Sequence, residues 1–267
     1  MSKAQRPIGI FDSGIGGMTV ARAIAQRLPR EQLIYFGDTA HLPYGDKSAD
    51  AIRYYALKIV KYLLEQDCKM IVIACNSAST AAYGVLLEFF KEQALFVNVV
   101  DPLVEAAAAE NFSKLGLIAT KATVHTGVYE RQMKRLRPEL ELVSLPTPLL
   151  APMIEEGFIH GKISQTVLET YLSHPGLQGI DGLLLACTHY PLIRPQIENF
   201  YHGSVKILDS TDVVAQRVES QLHTHGLLAT ENEANHRFYV SDHTDSFEKT
   251  TKLFYGRDVH LEHLPIW

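Results

Sequence analysis

The chain has 267 residues, 46% hydrophobic and 21% charged, a balance that suits a globular protein able to bury a large core as one or two domains. Its formal charge of −5 argues against a broad nucleic-acid footprint, and three cysteines without a C-x-x-C pair favour neither a disulfide framework nor a zinc ribbon. Neither an apolar signal region after "MSKAQRP" nor a run of about 18 apolar residues is present, so the expectation is a cytoplasmic protein with reduced thiols and no membrane partner.

In chain order, "IGIF" at 8–11 predicts a first strand and 18–28 a helix. Between them lies "DSGIGG", where Asp12 and Ser13 end the strand and Gly14, Gly16 and Gly17 let the backbone approach a ligand. This is not G-x-G-x-x-G, and "LIYFGDTAHLPYG" runs on through Gly37 without an acidic residue in the usual ribose position, so dinucleotide binding is disfavoured. "LIYF" at 33–36 predicts a second strand ending at Asp38, and "HLPYG" sets Tyr44 and Gly45 on a proline-stiffened loop. A helix cap is the ordinary alternative for either aspartate. A helix over 49–66 leads to "MIVIA" at 70–74, which runs into "ACNSAST" and a helix over 78–91. Strands follow at 97–100, 115–119, 142–145, 183–186 and 206–209, with helices at 102–110, 122–135, 164–173, 193–200, 211–224 and 244–255.

This alternation predicts a doubly wound α/β fold with mainly parallel sheets. The halves resemble each other: Gly9 in "IGIFDS" precedes Cys75 by 66 positions and Gly116 in "LGLIAT" precedes Cys187 by 71, with "VVDP" and "ILDS" following at comparable distances. Two pseudo-symmetric α/β domains are expected, with crossovers near Asp101 and Asp209. The first would be discontinuous, 1–99 with 209–267, and the second would span 100–208.

Ligands collect at the carboxyl ends of strands in such sheets, where Cys75 and Cys187 both fall. A lone cysteine there is ordinarily a packed core thiol. Two in matched settings read as acid–base groups, with a helix N-terminus lowering the pKa from about 8.5 toward about 3.5–7.5. His189, separated from Cys187 by Thr188, is placed to hold charge and shuttle protons beside a thiol, or is an ordinary loop histidine. Glu155 in "APMIEEG" has a surface helix end as its ordinary alternative, and Cys68 in "EQDCKM" reads as structural. No H-E-x-x-H or similar spacing and no pyridoxal-phosphate signature occurs, so no metal and no cofactor are expected.

Taken together and in this order, "DSGIGG", "GDTAHLPYG", "ACNSAST" and "ACTHYPLI" resemble the glutamate racemases of the aspartate/glutamate racemase superfamily, over essentially the whole chain. The resemblance implies a cofactor-independent isomerase with a glutamate site in the cleft between two α/β domains, making D-glutamate for bacterial peptidoglycan. It implies that Cys75 takes the proton from D-glutamate and Cys187 from L-glutamate. Substrate contacts are implied for Asp12, Ser13, Tyr44, Gly45, Asn76, Ser77, Thr188 and His189, with Asp12, Asp38, Glu155 and His189 assisting the chemistry. Ser77 stands where threonine is common, keeping the hydroxyl, and Thr147 where many relatives carry cysteine.

Inverting an α-carbon needs proton removal on one face and delivery on the other, which two bases on opposed walls supply directly. Other readings are a racemase of another amino acid such as aspartate, a non-catalytic protein binding an anion or a partner, and a thiol-dependent hydrolase. The hydrolase leaves Cys75 unexplained. Glutamate is the one small-molecule partner implied, and a homodimer is left open.

Overall fold

The computed structural model describes residues 2–230 and 235–267. The chain opens with β1 (Ile8–Asp12), α1 (Met18–Arg27), β2 (Leu33–Gly37), α2 (Ala49–Glu65), β3 (Met70–Ile73), α3 (Asn76–Phe90) and β4 (Leu95–Asn98). After α4 (Val100–Ala108) come β5 (Lys114–Ala119), α5 (Lys121–Thr126), α6 (Val128–Leu136), β6 (Glu141–Pro146), α7 (Leu150–Glu155), α8 (Lys162–Leu172), β7 (Gly182–Ala186), α9 (Arg194–Phe200) and β8 (Lys206–Asp209). The chain then runs through α10 (Ser210–Thr224), β9 (Arg237–Val240), α11 (Asp245–Tyr255) and β10 (Glu262–His263).

These strands form two parallel sheets, ordered β10-β9-β2-β1-β3-β4 and β6-β5-β7-β8. Each thus contains one motif, in which the first strand is flanked by the second and third and the fourth lies outside the third. Strands buried on both faces read as continuous apolar runs, as β1, β2 and β3 do. Helices show the complementary period: α2 buries Ile52, Ala56, Ile59, Val60 and Leu63 on one stripe, and the Ser48 hydroxyl caps its start by accepting from Ala51 N–H at 3.2 Å. The chain passes between sheets through α4 and α10, and α1 packs against α10.

Several boundaries depart from the sequence expectation. The strand expected at 97–100 lies at Leu95–Asn98, because the Asn98 side-chain oxygen accepts from the N–H groups of Val100 and Asp101 and turns the chain into α4. The helix expected over 122–135 breaks at Gly127, which takes a left-handed φ of 61°. The helix expected from residue 78 begins at Asn76, directly after Cys75. Both β9 and β10, at the sheet edge, and the short α7 went unpredicted. Among the described residues, no helix is long and apolar enough to cross a membrane.

Candidate active site

Strand order reverses around β1 and β5, and at such switch points the strand ends leave a crevice. Here the crevice is a cavity of about 280 Å³, lined from the first sheet by Ser13, Tyr44, Gly45, Cys75, Asn76 and Ser77 and from the second by Thr120, Thr147, Glu155, Cys187, Thr188 and His189. Both cysteines therefore border one space, each following the third strand of its motif.

Cys75 is the N-cap of α3, and its Sγ accepts from Ala78 N–H at 3.4 Å. Its thiol also faces the Ser13 hydroxyl at 3.7 Å. Burial, reinforced by the Asp12 carboxylate, pushes the Cys75 thiol up to about 12 despite the Ala78 and Ser13 hydrogen bonds. This corrects the expectation of a lowered value: a helix terminus contributes about 0.3–2 kcal/mol, or about one pKa unit, and burial outweighs it here. Alkylation of Cys75 in the unliganded protein, followed by peptide mapping, is therefore expected to accelerate about tenfold per pH unit from pH ~7 to ~9, since the thiolate reacts. A rate that levels off below pH 8 would contradict the raised value.

The other wall is built differently. Cys187 Sγ lies 3.6 Å from His189 Nδ1, and His189 Nε2 lies 2.8 Å from Glu155 Oε1. Burial opposes charge on His189, but Cys187 and Glu155 outweigh it and hold the imidazole well above its ordinary range. The ring packs edge-on against Phe254 at 5.1 Å, and Thr188 is anchored by the Thr19 hydroxyl, which donates to its carbonyl at 3.0 Å. Gly16 makes room for this wall: a Cβ there would lie 2.3 Å from His189 Cε1. Glu155 ends α7, so the unpredicted helix brings it to His189.

Asp12 and Asp38 do not line the cavity. Asp12 is fully buried beneath the glycine loop, where Oδ2 accepts from the N–H groups of Gly14 and Gly17 at 3.1 and 3.0 Å. Its Oδ1 has no hydrogen-bond partner among the described residues. Burial raises its pKa, against the opposing pull of His189 and the loop N–H groups. Asp38 accepts from the Tyr44 hydroxyl at 2.6 Å and the Ser241 hydroxyl at 2.8 Å, and so stands behind Tyr44. Asn76 is committed on one side only: Oδ1 accepts from the Tyr129 hydroxyl at 2.6 Å, and the buried Nδ2 has no partner among the described residues. Ser77 shares hydrogen bonds across the cleft with Thr120 at 2.9 Å and Thr123 at 3.3 Å.

Thr120 was missed as a cavity residue, although the repeat contained the signal. Aligning Gly9 with Gly116 matches Ser13 to Thr120. Thr147 likewise follows the end of β6 as Asp38 follows the end of β2, and its hydroxyl is 2.7 Å from the Tyr190 hydroxyl. Tyr129 carried no such signal, because its contact with Asn76 is made by folding α6 onto the cleft. Among the described residues, no group of three or more His, Cys, Asp or Glu side chains is arranged to hold a metal ion.

A sequence profile described as Asp/Glu/Hydantoin racemase matches residues 17–218. The chain is 40% identical to a glutamate racemase of Neisseria meningitidis, covering 95% of this chain and 94% of that protein. It is 39% identical to a glutamate racemase of Geobacter metallireducens, over 94% and 93% of the two chains. The crystal structure of glutamate racemase from Francisella tularensis in complex with D-glutamate superposes with a TM-score of 0.93 at 37% identity, covering 98% of each chain.

Proposed function

The chain belongs to the Asp/Glu/Hydantoin racemase family and stands among its glutamate racemases, and from that premise we propose how it works: it interconverts L- and D-glutamate without a cofactor, one thiol taking the α-proton and the other returning a proton. It does so in the cytoplasm and supplies D-glutamate for peptidoglycan. The observation that carries this reading is the pair of cysteines bordering one cavity from corresponding ends of two like sheets.

From L-glutamate, Cys187 acts as thiolate with the His189 imidazolium as its charge partner, and takes the α-proton to become a thiol. Cys75 enters as the buried thiol, gives its proton to the opposite face of the carbon and is left as thiolate. From D-glutamate the roles exchange. The substrate ammonium opposes the factors that hold the Cys75 proton, because it adds positive charge beside the site. Charge that develops at the carbon spreads onto the adjacent carboxylate, where the uncommitted Nδ2 of Asn76 is an available donor, a contribution of about 3–4 kcal/mol for one well-placed group.

The test is a side-by-side assay of L-glutamate and L-aspartate by optical rotation, using protein dialysed against chelator with nothing added back. Glutamate should racemise and aspartate should lag. Faster aspartate turnover, or activity that returns only with a metal or pyridoxal phosphate, would overturn the proposal.

A further inference from the structure

The loop that brings Tyr44 and Gly45 to the cavity is held from behind by groups outside the proton-transfer chemistry. His41 Nδ1 lies 2.9 Å from Asp38 Oδ1, and the same carboxylate accepts from the Tyr44 hydroxyl at 2.6 Å. His41 stacks on Tyr55 with ring centroids 4.1 Å apart and an interplanar angle of 20°. Trp267 closes over this pair, meeting His41 edge-on at 4.3 Å and Tyr55 at 5.4 Å, with Lys58 Nζ 5.3 Å from its ring centroid.

Trp267 reaches this position because the last segment is tied to the sheet edge. β10 pairs with β9, and Leu264 N–H donates to the Val240 carbonyl at 2.8 Å. Ser241, next along, donates its hydroxyl to Asp38 at 2.8 Å. The closing segment and the cavity loop thus converge on one buried carboxylate.

We propose that Trp267 is a positioning residue for the racemase reaction, acting through His41 and Asp38 to fix Tyr44 and its loop at the cavity wall. The proposal rests on the glutamate racemase reading. Trp267 keeps the imidazole flat on Tyr55, where its Nδ1 meets both Asp38 oxygens at 2.9 and 3.1 Å; Oδ1 also accepts from Ser241, and Oδ2 accepts from Tyr44. Without the indole, His41 is free to rotate away, Asp38 loses one of its partners, and the loop carrying Tyr44 and Gly45 loosens. The thiols make their hydrogen bonds to groups outside this relay, Cys75 to Ser13 and Ala78 and Cys187 to His189, so the effect falls on substrate binding and leaves the proton transfer.

Steady-state kinetics should show Trp267→Ala raising the KM for glutamate about tenfold, the worth of one good aromatic pair, with kcat within about threefold of the parent. Trp267→Phe should restore KM, because a ring edge is retained. Trp267 is also the chain's single tryptophan, so its emission reports on the relay in the unmodified protein. Saturating racemic glutamate should change that emission as the loop tightens and His41 shifts against the indole. A parental KM in Trp267→Ala, a Phe variant no better than the Ala variant, or parental emission indifferent to glutamate would each overturn the proposal. If the Ala variant fails to fold, the emission measurement decides alone. A parent that binds glutamate without racemising it would sink the racemase reading instead, and its emission response would still judge the relay.

Discussion

Cys75→Ala and Cys187→Ala are each expected to remove racemisation in both directions, with losses at or beyond the ~10²–10⁴-fold typical of a general acid–base group. In the proposed mechanism each direction uses one thiol as base and the other as acid, so neither direction should survive the loss of either. Cys68 borders neither the cavity nor the other thiols; it packs below β1, where a Cβ on Gly9 would lie 3.0 Å from its sulfur. Cys68→Ala is accordingly expected to stay within a few-fold of the parent. Isotope labelling separates the two-thiol route from a single base that swings between faces. In D2O the thiol on the far side has exchanged with solvent, so newly formed D-glutamate should carry deuterium at the α-carbon while unreacted L-glutamate remains protonated early in the reaction. Substantial transfer of the original hydrogen into product, or a Cys187→Ala enzyme near the parental rate, would refute the mechanism.

Gly16→Ala should be the most damaging small substitution outside the cysteines, lowering kcat about 100-fold through misplacement of His189. The added Cβ would lie 2.3 Å from His189 Cε1, 2.5 Å from Nδ1 and 2.7 Å from Thr188 Oγ1. Real Cβ atoms do not tolerate such distances, and the imidazole has little room to yield: it is 5% exposed and confined by Glu155 and Phe254. If it moves, the contacts to Cys187 and Glu155 are broken together. Gly84→Ala is the matched control. Nothing lies within 4 Å of its added Cβ in the middle of α3, and alanine there should stabilise by about 0.5–1 kcal/mol. Kinetics and thermal melting of the two variants check both statements; a Gly16→Ala enzyme within threefold of the parent would show that the loop gives way freely.

Much of the architecture was legible in sequence because it rests on signals a short window contains. Apolar runs of four or five residues alternating with amphipathic stretches pointed to parallel βαβ units, and the similar spacing from Gly9 to Cys75 and from Gly116 to Cys187 pointed to two like halves, each with a thiol after its third strand. The same repeat held Thr120 opposite Ser13, a match that followed from the alignment already made.

What only the tertiary structure decided depends on groups brought together from distant parts of the chain. The Cys75 thiol is held up to about 12 by burial under neighbouring segments and by Asp12, 63 positions away, whereas the helix terminus visible in sequence supplies the smaller, opposing effect. Glu155 reaches His189 across 34 positions through a helix of six residues, too short to announce itself by periodicity. Strands β9 and β10 carry only four and two residues at a sheet edge, and their pairing brings Ser241 and Trp267 to the loop of Tyr44. Local composition fixes which strands and helices can form; desolvation and cross-chain contact, which set the protonation and aim of each side chain, exist only once those elements have packed.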